Sequence, residues 1–351
     1  MIFFSKPSIT SKEIKNVNKV LKKGILADGY FQKKTELLIK KKIKSKFIAL
    51  TQSCTDALEL ASSLIGLKPN DEVIMPSYTF TSTANAVVFK GAKPVFADIN
   101  SNDFNINQNQ IEKLITKKTK AIFVVHYGGN CINLKKILEI KKKYNLFLIE
   151  DCAHAFLSSY NGKFAGTIGD IGVFSFHETK NIVGGQGGAI SINNQKLLKR
   201  VNFLLEKGTN RKKFLSDYRK QFISEKNKKK IKKNFYTWVD FGSEYRASEL
   251  SSSLIYSQLS RFNELTKKRK IIWFTYYNFL KKMNNINIEL FKIDKNSKNV
   301  FHLFAFKIKK EYLAKKLRTF YKIKKSQLHF TMYHCIPHHL AKNLENQTVW
   351  W

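Results

Sequence analysis

Residues 172–181 read GVFSFHETKN, and Gly184, Gly185, Gly187 and Gly188 follow at once. An apolar run with β-forming residues, Val173, Phe174 and Phe176, delivers Lys180 to a turn bounded by glycines, where backbone can pack closely against a bound group. That is a seat for a Schiff-base lysine, because burial lowers the amine's pKa and frees it as a nucleophile. In a chain carrying 63 Lys+Arg, one lysine says little by itself, so its companions have to decide.

Upstream the pattern alternates short apolar strands with helices. FIAL (47–50) precedes a helix over 55–65, EVIMP (72–76) a helix over 81–89, and PVFADI (94–99) and AIFVVH (121–126) a helix over 134–144, before LFLIED (146–151). Repeated strand and helix in this order predicts βαβ units and a mostly parallel sheet buried on both faces, an α/β fold. Ligands of such sheets bind beyond the carboxyl ends of the strands. That rule selects Ser53, Cys54 and Thr55, at a strand-to-helix junction, where free backbone N–H groups suit a phosphate and where Ser or Thr also serves as an ordinary N-cap. It selects Glu150 and Asp151 too, each readable as a cap of the next segment or as a functional carboxylate. His126, ending its own strand, reads as a satisfied core histidine.

The flanks are plainer. Thr10 and Glu13 form a capping box, Ile14, Val17 and Leu21 follow at helical spacing, and Gly24 stops that helix. A second helix is expected over 31–43. After the glycine cluster come a strand over 188–192, a helix over 195–206 and a basic surface excursion over 207–234. Two helices follow at 248–262 and 264–282, then a strand over 301–308 and a helix over 310–321. This divides the chain into a large domain over 1–247 and a small C-terminal α+β domain over 248–351.

Composition narrows the function classes. With 43% hydrophobic residues the 351-residue chain can bury a large core, which argues against disorder. No apolar run reaches the length of a membrane helix, and MIFFSKPSIT lacks a signal-peptide h-region, so a cytoplasmic protein with no membrane partner is expected. The four cysteines show no CxxC spacing, which predicts free thiols and no metal site. A formal charge of +37 favours polyanions, yet the lysines are spread along the whole chain rather than gathered on one motif, so no specific nucleic-acid partner is expected.

Taken together, SCT (53–55), PSYTFTSTANA (76–86), VHYGG (125–129), IEDCAHA (149–155) and GTIGDIGVFSFHETKN (166–181) resemble the sugar-nucleotide aminotransferases, pyridoxal-phosphate enzymes of the aspartate-aminotransferase-like fold (fold type I). The resemblance runs from about residue 2 to 330. It implies that Lys180 binds pyridoxal 5′-phosphate covalently and moves the proton. Asp151 would pair with the pyridinium nitrogen, His154 would sit near the phenolic oxygen, Phe80 would stack on the ring, and Ser53, Cys54, Thr55 and Ser175 would hold the phosphate. SFHETKN, EKGTNR (206–211) and YTWVDFGS (236–243) point to the branch that moves an amino group, usually from L-glutamate, to dTDP-4-dehydro-6-deoxy-D-glucose. The product there is dTDP-4-amino-4,6-dideoxy-D-galactose, for surface polysaccharides such as the O-antigen or enterobacterial common antigen. The family also implies a homodimer with composite active sites, the segment around Ser243 and Arg246 approaching the neighbouring cofactor.

Three departures stand out: Glu244 where relatives carry Asn or Ser, Gln186 within the glycine cluster, and YHCIPHH (333–339) near an end, Trp350 and Trp351, that comes early for the family. The small domain is therefore expected to be truncated or altered after about 330. The other readings are an inactive homologue of the same fold or a truncated product, an aminotransferase acting on a different nucleotide keto-sugar, and a nucleic-acid binder supported only by charge.

Overall fold

The computed structural model describes residues 5–211, 236–283, 287–310, 313 and 348–350. Two helices lead in, α1 (Ser11–Lys23) and α2 (Tyr30–Ile43). Glu13 accepts the Thr10 backbone N–H at 2.8 Å, completing the capping box, and Gly24 closes α1 in the left-handed conformation at φ 67°. The face α1 buries is not its apolar one: Glu13, Asn16 and Val20 are buried whereas Ile14 and Leu21 are more than half exposed. The helix packs inward through hydrogen bonds, Asn16 Nδ2 donating to Ser257 Oγ at 2.8 Å and Gln258 Nε2 to Glu13 Oε1 at 3.0 Å. Helical spacing finds an apolar stripe but cannot say which stripe meets a neighbour.

The main sheet is built from β1 (Ile48–Thr51), β2 (Glu72–Pro76), β3 (Lys93–Ala97), β4 (Thr119–Val125) and β5 (Phe147–Asp151). A short hairpin, β6 (Ser159–Tyr160) and β7 (Lys163–Phe164), intervenes before β8 (Ile171–Ser175) and β9 (Gly188–Ile192). The order across the sheet is β1-β9-β8-β5-β4-β2-β3. Only β9 runs against the others, pairing antiparallel with both β1 and β8. Strands β8, β5, β4, β2 and β3 pair in parallel with one another in that order, as repeated βαβ crossovers require.

Helices α3 (Cys54–Leu64) and α4 (Thr81–Val88) follow β1 and β2. The short α5 (Gln108–Ile111), capped by Asn107, and α6 (Lys135–Tyr144) follow β3 and β4, and α7 (Leu198–Leu204) follows β9. Both faces of the sheet are covered. Val73, Met75, Phe123, Ile149, Ile171 and Val173 pack with α3 and α7, while Ile74, Ile122, Val124 and Leu148 pack with α6. Every one of these strand residues is fully buried, and each such side chain contributes about 1.5–3 kcal/mol when taken out of water. The period-2 alternation fixes a consequence for the site: Thr51, Asp151 and Ser175 lie on the α3 face, and Glu150 and Phe174 on the other.

Beyond Ser248 come two helices, α8 (Glu249–Ser260), which packs against α1 and α2, and α9 (Phe262–Met283). Strands β10 (Ile288–Leu290), β12 (Phe306–Ile308) and β13 (Thr348–Trp350) make a small antiparallel sheet, and β11 (Ser297–Lys298) joins the β6/β7 hairpin instead. The expected strand over 301–308 shortens to its last three residues. Asn299 Oδ1 takes the Phe301 N–H at 2.5 Å, Phe301 turns left-handed at φ 53°, and the Leu303 carbonyl accepts from Trp273 Nε1 at 3.0 Å, so 301–305 serve α9 rather than a sheet. The YHCIPHH element, all but Lys310 and Leu313 of the helix expected over 310–321, and most of the excursion over 207–234 lie outside the described residues. Among the described residues no helix is long and apolar enough to cross a membrane.

Candidate active site

A cavity of about 420 Å³ opens beyond the carboxyl ends of β5 and β8, and Ser53, Cys54, Thr55, Phe80, Asp151, His154, Ser175 and Lys180 all line it. Eight residues spread over 128 positions of sequence therefore share one wall. Strand register places Asp151: it pairs with Val173 across β5 and β8, and Val173 packs on the α3 side.

Lys180 sits in the loop between β8 and β9. That loop is closed by its own backbone, Phe176 N–H bonding Gly187 O at 2.8 Å, Gly184 N–H bonding Phe176 O at 2.7 Å and Lys180 N–H bonding His177 O at 2.9 Å. Gly188 lets the loop return against α3: a Cβ there would lie 2.4 Å from the Ser53 carbonyl and 2.6 Å from Cys54 N. Burial holds the Lys180 ammonium below the ordinary lysine range, with Cys54 and Asp151 partly opposing that shift. The result is an amine closer to its nucleophilic form than a surface lysine.

Asp151 is buried, and burial pushes its carboxyl up from the ordinary aspartate value, with hydrogen bonds from the Ala153 N–H (3.0 Å) and Thr83 Oγ1 (2.9 Å) working the other way. A buried acid whose charge is only partly compensated suits a cationic ring nitrogen. At the start of α3, Ser53 is the N-cap, its Oγ accepting the Asp56 N–H at 3.0 Å and donating to Asp56 Oδ2 at 2.7 Å. The capping reading is thus correct for its side chain. It leaves the first-turn N–H groups of Cys54 and Thr55 without intrahelical carbonyls, and both residues line the cavity, as an anion site requires. Thr55 Oγ1 lies 2.8 Å from Ser82 Oγ, and Phe80, 56% exposed, lines the cavity.

Two histidines complete the wall. The rings of His154 and His302 stand 4.6 Å apart, Gly128 N–H reaches His154 Nδ1 at 3.4 Å, and His302 Nδ1 lies 2.9 Å from Asn181 Oδ1, which only accepts. Burial first, then the neighbouring His154 ring and after it the cations Lys180 and Arg269, hold His302 well below the usual histidine range, and burial with Lys180 does the same for His154. Both imidazoles are therefore neutral near pH 7. His302 and Arg269 are cavity residues that the sequence did not single out, and both lie outside the strand ends to which the topological rule applies; Tyr78 and Thr83, also on the cavity wall, fall within the PSYTFTSTANA motif, which assigned them no role.

Glu150 and His126 resolve differently. Glu150 is completely buried and accepts N–H bonds from Gly166 (2.9 Å), Ile168 (2.8 Å) and Gly169 (2.5 Å). His126 Nδ1 accepts the Ile132 N–H at 3.1 Å, so its Nε2 donates to Glu150 at 2.9 Å. Cys152 lies beside them, its thiol pushed up to about 12 by burial. With these oxygens and both ring nitrogens committed, this is a hydrogen-bonded brace under β8. Cys54, Cys131 and Cys152 are free thiols, and Cys335 lies outside the described residues. Glu244 forms an ion pair with Lys207, and Gln186 lines the cavity.

The family model for the DegT/DnrJ/EryC1/StrS aminotransferases matches residues 7–349. The chain is 33% identical over 300 residues to a GDP-perosamine synthase of Escherichia coli O157:H7, covering 85% of this chain and 74% of that protein. It is 31% identical over 325 residues to the UDP-4-amino-4,6-dideoxy-N-acetyl-beta-L-altrosamine transaminase of Campylobacter jejuni, covering 91% and 80%. Its fold superposes on Helicobacter pylori PseC, an aminotransferase involved in the biosynthesis of pseudoaminic acid, with TM-score 0.83 and 26% identity over 98% of this chain and 88% of the other.

Proposed function

The chain belongs to the DegT/DnrJ/EryC1/StrS aminotransferase family, a family of pyridoxal-phosphate sugar aminotransferases acting on nucleotide sugars, and from that premise we propose the substrates and the residue roles. The amino donor is L-glutamate, the acceptor dTDP-4-dehydro-6-deoxy-D-glucose, and the product dTDP-4-amino-4,6-dideoxy-D-galactose for a surface polysaccharide. The one observation that carries the reading is the convergence of the partly buried Lys180 and the buried Asp151 on a cavity bounded by the free start of α3. The name of the Campylobacter relative supports a 4-amino-4,6-dideoxy sugar. The base rests on SFHETKN, EKGTNR and YTWVDFGS, beside relatives named for GDP and UDP sugars.

The donor set fits the cofactor: an amine for its aldehyde, an acid for its ring nitrogen, N–H groups for its phosphate. When bound, pyridoxal phosphate supplies the carbonyl that takes up the amino group and a ring that absorbs electron density as the C–H bond beside that group breaks. Lys180 Nζ anchors the cofactor, then takes the proton from the amino-bearing carbon and returns it, as its lowered pKa permits. Asp151 keeps the ring nitrogen protonated. Cys54 and Thr55 N–H groups with Ser175 Oγ bind the phosphate, and Phe80 covers the ring. His154, neutral, sits by the phenolic oxygen as a hydrogen-bonding partner that adds no second cation beside Lys180.

A homodimer with composite sites in the cytoplasm belongs to the same proposal. It is supported by the uncovered Trp238 (70% exposed) and Phe241 (83%), which flank the segment leading to Ser243 and Arg246. Sedimentation at assay concentration checks it, and a fully active monomer would contradict it.

The deciding assay supplies the protein with pyridoxal phosphate, L-glutamate and the dTDP, GDP or UDP 4-keto-6-deoxyhexose in parallel, and resolves the products by sugar stereochemistry. Amination of the dTDP sugar to the galacto product is expected. Preference for a GDP or UDP sugar would replace the substrate while leaving the chemistry, and no amination of any of them would favour an inactive homologue.

A further inference from the structure

We propose that Arg269 is the anchor for a carboxylate of the amino-acid donor, a specificity-determining residue for the first half of the transamination. This rests on the aminotransferase reading above.

Arg269 lies on α9 and reaches the cavity wall beside Lys180, His302 and Leu303. Its Nη2 donates to the Lys180 carbonyl at 3.4 Å, a long bond. No carboxylate among the described residues lies in ion-pair range of it, although Arg200, Arg246 and Arg261 all have such partners. A guanidinium offers five donors in a planar fork, and here one of them is weakly used. Burial shifts its pKa downward, and no group among the described residues opposes that shift. The neighbouring histidines cannot help: His302 and His154 are held neutral, and they bring no negative charge. A partly buried cation with no counter-ion among the described residues, on the wall of a reaction cavity, calls for an anionic ligand group.

Three anions enter this cavity in the reaction, and their chemistry separates them. The cofactor phosphate is served by the α3 start, from which none of the Arg269 contacts comes. The diphosphate of a nucleotide sugar is attached at the anomeric carbon, across the ring from the 4-keto carbon that must approach Lys180. An amino acid carries its carboxylate one carbon from the amino group being transferred. A fork touching the backbone of Lys180 itself is therefore placed for that carboxylate, which matches guanidinium geometry in a bidentate pair. It also has a positioning effect, since the same side chain ties down the loop that carries the lysine.

The test compares wild type, R269Q and R269K as dimer or monomer, whichever the protein adopts, loaded with pyridoxal phosphate. Cofactor absorbance follows the half-reaction with L-glutamate and, separately, the reverse half-reaction with the amino-sugar nucleotide. Calorimetry measures binding of glutarate, a dicarboxylate that cannot react. Losing a charged bidentate contact should raise the half-saturating L-glutamate concentration and the glutarate Kd by roughly 10- to 100-fold in R269Q, with partial recovery in R269K and a much smaller change for the sugar. Unchanged glutamate and glutarate values overturn the proposal. So does a loss confined to the sugar, which would assign Arg269 to the diphosphate, or an equal loss in both halves with a lowered Tm, which would make it a structural tie for the Lys180 loop. If wild type transaminates nothing, the functional reading fails; glutarate binding that still depends on Arg269 keeps the anchor, and its absence removes that too.

Discussion

Glu150 and Asp151 are consecutive in β5, yet their carboxylates end on opposite faces of the sheet, one closed by backbone N–H groups and the other open to the cavity. The two acids therefore differ in what their removal does.

Glu150→Gln leaves one accepting oxygen where two served three N–H groups and the His126 ring. Orphaning buried donors costs about 1–3 kcal/mol each, so the protein should lose about 3 kcal/mol. Denaturant unfolding measures it, and cofactor affinity per folded molecule should remain. A variant with wild-type stability but weakened cofactor binding would place Glu150 in the site after all.

Asp151→Asn is the mirror case, with pH as the diagnostic. The folded-state pKa of Asp151 lies above its unfolded value, so the folded cofactor-free protein binds the extra proton. Stability from this group is full below the ordinary aspartate pKa and is lost as pH rises through the raised one. Near neutral pH the cofactor-free Asn variant should be the more stable protein, and that advantage should vanish in acid, as Tm against pH will report. Its cofactor affinity and turnover should both fall. A Tm difference independent of pH would refute the linkage.

Gly188→Ala drives a Cβ into the backbone of Ser53 and Cys54. Backbone cannot swing aside as a side chain does, so α3 must shift, at about 1–3 kcal/mol. Because the shifted atoms bear the N–H groups assigned to the phosphate, pyridoxal phosphate affinity should fall more than pyridoxal affinity. Equal losses for the two compounds would disconnect the α3 start from the phosphate.

Lys180→Ala should fold, bind pyridoxal phosphate without a covalent link and lose catalysis by at least about 100-fold to 10,000-fold, the usual loss for an acid–base group alone. Borohydride reduction of the loaded wild type, followed by peptide mapping, should put the pyridoxyl mass on Lys180. A label on any other lysine would sink the assignment.

By itself the sequence determined the α/β class and the strand ends that carry the site, because alternation of apolar runs is a local property and parallel strands put their carboxyl ends on one side. Asp151 and Ser53 to Thr55 were legible for that reason, and Lys180 through the glycine-bounded turn that follows an apolar run. What only the tertiary structure decided is which partner each side chain meets. Period 2 separates Glu150 from Asp151, but only the packed turn at 166–169 supplies the N–H groups that consume Glu150. Arg269 is one basic residue in a run of lysines on a helix, and nothing local distinguishes it. It becomes special where α9 crosses the Lys180 loop, a contact spanning 89 residues that no periodicity encodes. Likewise the apolar stripe of α1 is visible in sequence, whereas its exposure follows from polar contacts with α8 that hold a different face inward.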